Sequence, residues 1–208
     1  PFTHRSLALP EGRLHYVDEG PADAAGVLVL VHGTPTWSFE YRHLIRALRP
    51  THRVIALDHL GFGLSERPPA ADYRPEAHAR RFAGFIAALG LPRFTLVTHD
   101  FGGPIALPFA AAQPERVRRL VLFNTWIWPF DDDPVMLKRA RLAGGAFGRF
   151  LYRWFNASLR LLMPSAFGDR RKLTPELHAQ YLAVFRDRDA RVRVLHALAR
   201  ALLGSRDH

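Results

Sequence analysis

The chain has 208 residues, 48% hydrophobic and 23% charged, with no cysteine, which fits one sizeable globular core and excludes disordered or collagen-like classes and all thiolate, disulfide or cysteine–zinc chemistry. The net charge of +10 divides as 14 basic against 11 acidic residues over 1–130 and 15 against 8 over 131–208; it is nearly all arginine spread over helical segments, which reads as solvated surface and not as a nucleic-acid site. No apolar run approaches the roughly 20 residues of a membrane span and residues 1–5 do not open a signal peptide, so a cytoplasmic protein that meets no membrane is the expectation.

In chain order, residues 14–18 read as an early strand and Val27–Val31 as a fully buried one, followed by helical spacing of Phe39, Leu44, Ile45 and Leu48 over 37–48. Arg53–Leu57 is the next strand and 58–65 a glycine-rich loop. Pro75 opens a helix that Gly90 closes. Strands at 94–98 and 118–123 flank a helix at 103–112, and the alternation predicts an α/β fold with a mostly parallel sheet. Ligand sites in such sheets form at the carboxyl ends of strands, where Gly33, Asp58, Asp100 and Asn124 all fall. Beyond Phe123 no strand-like run follows; helices are expected near 134–146, 148–163, 175–185 and 189–203. The expected organisation is a core over 1–128 and a helical cap over 129–208.

The segment 94–103, Phe-Thr-Leu-Val-Thr-His-Asp-Phe-Gly-Gly, reads as strand, tight turn and helix start with Asp100 at the apex. Thr98, Asp100 and Gly102 fill the positions of the G-x-S-x-G nucleophile elbow. A carboxylate there suits attack on an sp3 carbon, which gives an ester that water can hydrolyse; attack on an acyl carbon would give an unstable anhydride. The plain alternative is that Asp100 only caps the following helix. A second motif argues against it: Val27–Val31 ends in His32-Gly33-Thr34-Pro35-Thr36-Trp37, the strand-end loop that would bring the Thr34 N–H beside that of Phe101 as an oxyanion hole.

Four segments carry a resemblance: HGTPTWSFEYR at 32–42, DHLGFGLSERP at 58–68, VTHDFGGPIAL at 97–107 and LVLFNTWIWP at 120–129. Together they resemble haloalkane dehalogenases of the α/β-hydrolase superfamily. The resemblance implies an α/β-hydrolase core with a helical cap, no metal or organic cofactor, and a small hydrophobic substrate. It also implies that Asp100 displaces a halide to form an alkyl ester, which a histidine-activated water then cleaves while Thr34 and Phe101 N–H groups hold the oxyanion. Gly33, Trp37, Trp126 and Trp128 are the implied pocket residues, and ordinary aromatic packing is the plainer account of any one tryptophan.

The chain departs from that pattern in three places. Phe101 follows the nucleophile where the family commonly has tryptophan, and Thr34 stands where some subfamilies have asparagine, so the usual side-chain N–H donors to the halide are absent. The base histidine and, in subfamilies with Asn at position 124, its carboxylate partner come from strands beyond the cap, and none of His32, His59, His99, His178, His196 and His208 suits that role; His59, His178, His196 and His208 read as surface or cap residues. A longer hydrolase of which this is a piece, with C-terminal strands missing and an open apolar edge at 118–123, is the expectation. Two alternatives stay open: an epoxide hydrolase using Tyr152 and Tyr181, and a non-catalytic protein binding an acidic surface through the basic amphipathic segment 191–200.

Overall fold

The computed structural model describes residues 2–128, 130 and 133–203. These form two compact units, Pro1–Ile127 and Trp128–His208. Pro129, Asp131, Asp132 and His208, which enter the sequence reading, lie outside the described residues.

In the first unit, six strands among the described residues form one sheet in the order β1-β2-β4-β3-β5-β6. They are β1 (His4–Leu9), β2 (Gly12–Glu19), β3 (Val27–Val31), β4 (Arg53–Leu57), β5 (Phe94–Asp100) and β6 (Val117–Thr125). β1 and β2 pair antiparallel, β2 joins β4 antiparallel, and β4, β3, β5 and β6 run parallel. The all-apolar β3 is central because both of its faces are covered. On one face Leu30, Val54, Ala56 and Val97 pack with Tyr41 and Ile45, the latter from α1 (Arg42–Leu48). Elsewhere in the core, α2 (Pro75–Ala88) and α3 (Gly102–Ala112) bring Phe82 edge-on to Phe109 at 5.6 Å, and Phe109 stacks on Phe94 at 6.0 Å.

β1 is a strand that sequence patterning does not disclose, because its six residues are mostly exposed, three polar followed by three apolar with no alternation, and it is held by backbone pairing to β2. The helix expected over 37–48 is split. Trp37 is extended, Ser38–Tyr41 form a 3-10 turn, and α1 begins only at Arg42, because the Ser38 N–H donates to Asp58 Oδ1 at 2.7 Å and anchors the turn. β6 lies at the sheet edge with Leu120, Leu122 and Phe123 each about half exposed.

The second unit contains α4 (Pro134–Gly144), α5 (Ala146–Phe155), α6 (Met163–Ala166), α7 (Pro175–Ala183), α8 (Arg188–Ala190) and α9 (Ala197–Ala201), with wide helical turns at Ser158–Leu162 and Arg191–His196. Side chains cap three of these: Asp133 accepts from the N–H groups of Val135 and Met136, Thr174 from Leu177, and Asp187 from Asp189. The single helix expected over 148–163 is interrupted at Asn156, whose φ of 52° is left-handed; asparagine tolerates that conformation better than most residues, and its carbonyl accepts from Leu159 and Arg160 to start the next turn. Val194, Leu195, Leu198 and Ala199 are buried, so the apolar face of segment 191–200 is spent on packing and is not free for a membrane surface. No helix among the described residues is long and apolar enough to cross a membrane.

Candidate active site

The parallel strands end on a common edge, and the strand order turns there: β4 lies on one side of β3 and β5 on the other. That switch point opens a crevice between the carboxyl ends of β3 and β5. The loop after β3 and the turn after β5 meet in it, and the Thr34 N–H donates to Asp100 Oδ1 at 2.8 Å.

Asp100 has φ 50°, a strained conformation for a non-glycine residue. Several contacts hold it there. The Thr125 hydroxyl donates to the Asp100 carbonyl at 2.6 Å, and the β5–β6 register shifts between His99 and Asp100. Gly33 is obligatory on steric grounds, since a Cβ there would run into the Asp100 carboxyl group; a Cβ on Gly102 would likewise meet the Val31 carbonyl oxygen. Thr98 is fully buried and its hydroxyl has no partner.

Burial pushes the Asp100 carboxyl above the usual carboxylate range, while N–H groups of Phe101 and Thr34 and the nearby His99 pull it back down. Of the two backbone donors named from sequence, the Thr34 N–H bonds the carboxylate directly and the Phe101 N–H acts on its charge. Phe101 is 4% exposed and sets its ring edge-on to Trp126 at 5.0 Å. Trp37 stacks on Phe39 at 5.3 Å, and its indole N–H is buried without a partner, as is the Thr34 hydroxyl. Trp128 opens the second unit and is 70% exposed. Tyr152 and Tyr181 are buried within that unit.

Sequence reasoning missed one acid, Glu40, and gave another, Asp58, a place at a strand end but no partners. Glu40 receives a hydrogen bond from the Thr36 hydroxyl and lies 3.4 Å from His99 Nδ1, forming an acid–histidine pair beside Asp100. The signal was the Thr36–Glu40 spacing of four residues just after the loop. Asp58, fully buried, accepts from the N–H groups of Ser38 at 2.7 Å and Leu64 at 2.9 Å and pairs with His15 Nδ1 at 2.7 Å. The expectation that His59 is a surface or cap residue is wrong: it is 3% exposed, its N–H donates to His32 Nε2, and burial pushes its ring down to about 4. His32 is also driven well below its usual value by burial, so both rings are neutral. Among the described residues no group of three His, Asp or Glu is placed to hold a metal ion.

The Glu40 pair raises the His99 pKa above its ordinary value, against the opposing effect of burial. A raised histidine pKa contributes stability that is fully present below the unfolded value and lost as pH rises through the folded one. Glu40→Gln is therefore expected to lower the His99 ring pKa, read by NMR titration, and to destabilise the protein more at pH 5 than at pH 9. An unchanged ring titration would show that the pair carries no charge coupling.

This sheet, with a carboxylate on a strained strand-to-helix turn facing a strand-end loop, defines an α/β hydrolase, and the chain belongs to that family: the model for the alpha/beta hydrolase fold matches residues 26–193. Its relatives include haloalkane dehalogenases and oxetanone decarboxylases. Over 131 residues it is 48% identical to haloalkane dehalogenase 2 of Mycobacterium tuberculosis, covering 63% of this chain and 45% of that protein. It is 38% identical over 161 residues to the cis-3-alkyl-4-alkyloxetan-2-one decarboxylase of Shewanella oneidensis, covering 76% of this chain and 50% of that one. The chain thus spans about half the length of the curated relatives it matches. Among solved structures, haloalkane dehalogenase DbeA from Bradyrhizobium elkani superposes with a TM-score of 0.86 at 27% identity, over 100% of this chain and 72% of that one.

Proposed function

We propose that the chain carries the nucleophilic half of a haloalkane dehalogenase-like hydrolase, in which Asp100 attacks an sp3 carbon of a small hydrophobic substrate and forms an alkyl ester. The observation that carries this reading is Asp100 itself, strained at φ 50° and held by the Thr34 N–H at 2.8 Å. In the ester the same pair of N–H groups, from Thr34 and Phe101, would hold the carbonyl oxygen and stabilise the oxyanion that water attack creates. The Trp37 indole N–H and the Thr34 hydroxyl, both buried without partners, are the donors this loop offers to a departing halide in place of the side-chain donors that Phe101 lacks. Hydrolysis of the ester belongs to a histidine and carboxylate that this reading places in a longer protein.

A second reading rests on Phe101. An apolar ring after the nucleophile suits a leaving group that stays tethered, as in an oxetan-2-one, where Asp100 would attack the ring sp3 carbon and the ring C–O bond would break to a carboxylate. Incubation with 1-bromohexane and, separately, with a cis-3,4-dialkyl oxetan-2-one, followed by intact mass and peptide mapping, tests both. A hexyl adduct on Asp100 is expected; an adduct only from the lactone would favour the second reading, and neither adduct in folded protein overturns the nucleophile.

A further inference from the structure

The second unit carries an open surface cavity of about 580 Å³, with Trp154, Phe155, Leu161, Arg160, Arg186 and Arg188 exposed, whose lining is divided by chemistry. One part is apolar, made by Leu151, Trp154, Phe155 and Leu161. The other carries four arginines, Arg160, Arg186, Arg188 and Arg191. No carboxylate lines the cavity among the described residues; Asp189 pairs with Arg153, and Asp187 lies 3.8 Å from Arg193 while also acting on Arg191.

Arg191 is fixed. Its guanidinium donates to the carbonyls of Phe185 at 2.7 Å, Arg186 at 2.9 Å and Arg153 at 3.2 Å. These acceptors orient the charge without neutralising it. Burial, and after it the neighbouring Arg160 and Arg188, lower its pKa against an opposing effect of Asp187. Arg188 lies over the Trp154 ring at 4.7 Å, so the cationic and apolar parts of the lining are contiguous.

A further observation points to a ligand. Asn156 lines the same cavity, is 3% exposed and sits at φ 52°, yet its side-chain oxygen is buried with no hydrogen-bond partner. A buried amide left unpaired is uncommon in a folded protein and asks for a partner. Turned about its last torsion, the amide presents N–H groups to an anion instead.

We infer that this cavity is a binding site for an amphipathic carboxylate, with the acid group among the four arginines and an aliphatic or aromatic body against Trp154, Phe155 and the two leucines. The volume falls in the range of small-molecule sites, and planar guanidinium groups match carboxylate geometry. The site lies wholly within the second unit and is independent of the chemistry assigned to Asp100.

Decanoate is the probe, titrated calorimetrically into the whole chain beside decanol and acetate. The site predicts saturable decanoate binding that salt weakens, and much weaker binding of either half alone. Loss of one charge-assisted hydrogen bond is worth about tenfold in affinity, so Arg160→Gln and, separately, Arg188→Gln should each weaken decanoate about tenfold with the helical circular dichroism unchanged. Equal affinity for decanoate and decanol, unaltered binding in both folded variants, or no saturable binding at all would each overturn the assignment.

Discussion

Asp100→Asn is expected to abolish the proposed alkyl adduct, lowering its rate of formation by at least about a thousandfold, because the amide lacks the anionic oxygen that would displace the leaving group. The fold should survive. Asparagine tolerates the left-handed conformation that Asp100 adopts at φ 50°, and its side-chain oxygen can still accept the Thr34 N–H. Stability should in fact rise. Burial holds the Asp100 pKa above its unfolded value, so ionisation costs the folded state free energy that appears as pH climbs through the ordinary carboxylate range and is complete above the raised pKa. Asp100→Asn should therefore match the parent at pH 3 and exceed it in denaturation midpoint at pH 8. An adduct that persists in this variant would place the nucleophile elsewhere; a variant less stable at pH 8 would mean that the turn depends on the charge.

Asp58→Ala should be the most destabilising single change in the first unit. The carboxylate is fully buried just after β4 and joins three segments: His15 on β2, the Ser38 N–H at the 3-10 turn and the Leu64 N–H in the glycine-rich loop. Removing it strands two backbone donors and a buried imidazole. Each buried group left unpaired costs about 1–3 kcal/mol, and three are left, so a loss of at least about 3 kcal/mol in chemical denaturation is expected. Asp58→Asn keeps an acceptor for one of the two N–H groups and should lose less. Because Ser38 follows the 32–37 loop directly, the alanine variant should also slow adduct formation at Asp100. A loss below about 1 kcal/mol would mean that water replaces the carboxylate.

Much of the core was legible in consecutive residues. Val27–Val31 and Arg53–Leu57 are strands with the bounds their apolar runs suggest, and the elbow at Asp100 was marked by Thr98 and Gly102 around it. β1 was not legible, since a mostly exposed edge strand without alternation has no pattern of its own and exists only through its register with β2, Leu7 opposite Leu14 and His4 opposite Val17. The break at Asn156 was hidden for a related reason. The apolar spacing continues through 148–163, and a left-handed asparagine is stabilised by what surrounds it, so the run of residues alone gives no sign of the change in direction.

The sequence by itself determined the class of sheet, the order of its elements and the residue at the apex of the elbow, because apolar periodicity and turn residues act over a few positions along the chain. The Thr34 N–H beside that apex was legible too, from the strand-end motif. Only the tertiary structure decided which side chains surround it: His15 reaches Asp58 across 43 residues, and Glu40 finds His99 from a different element altogether. Such pairings depend on strand order and on the crevice that opens where that order turns, and a short window of sequence carries no record of either.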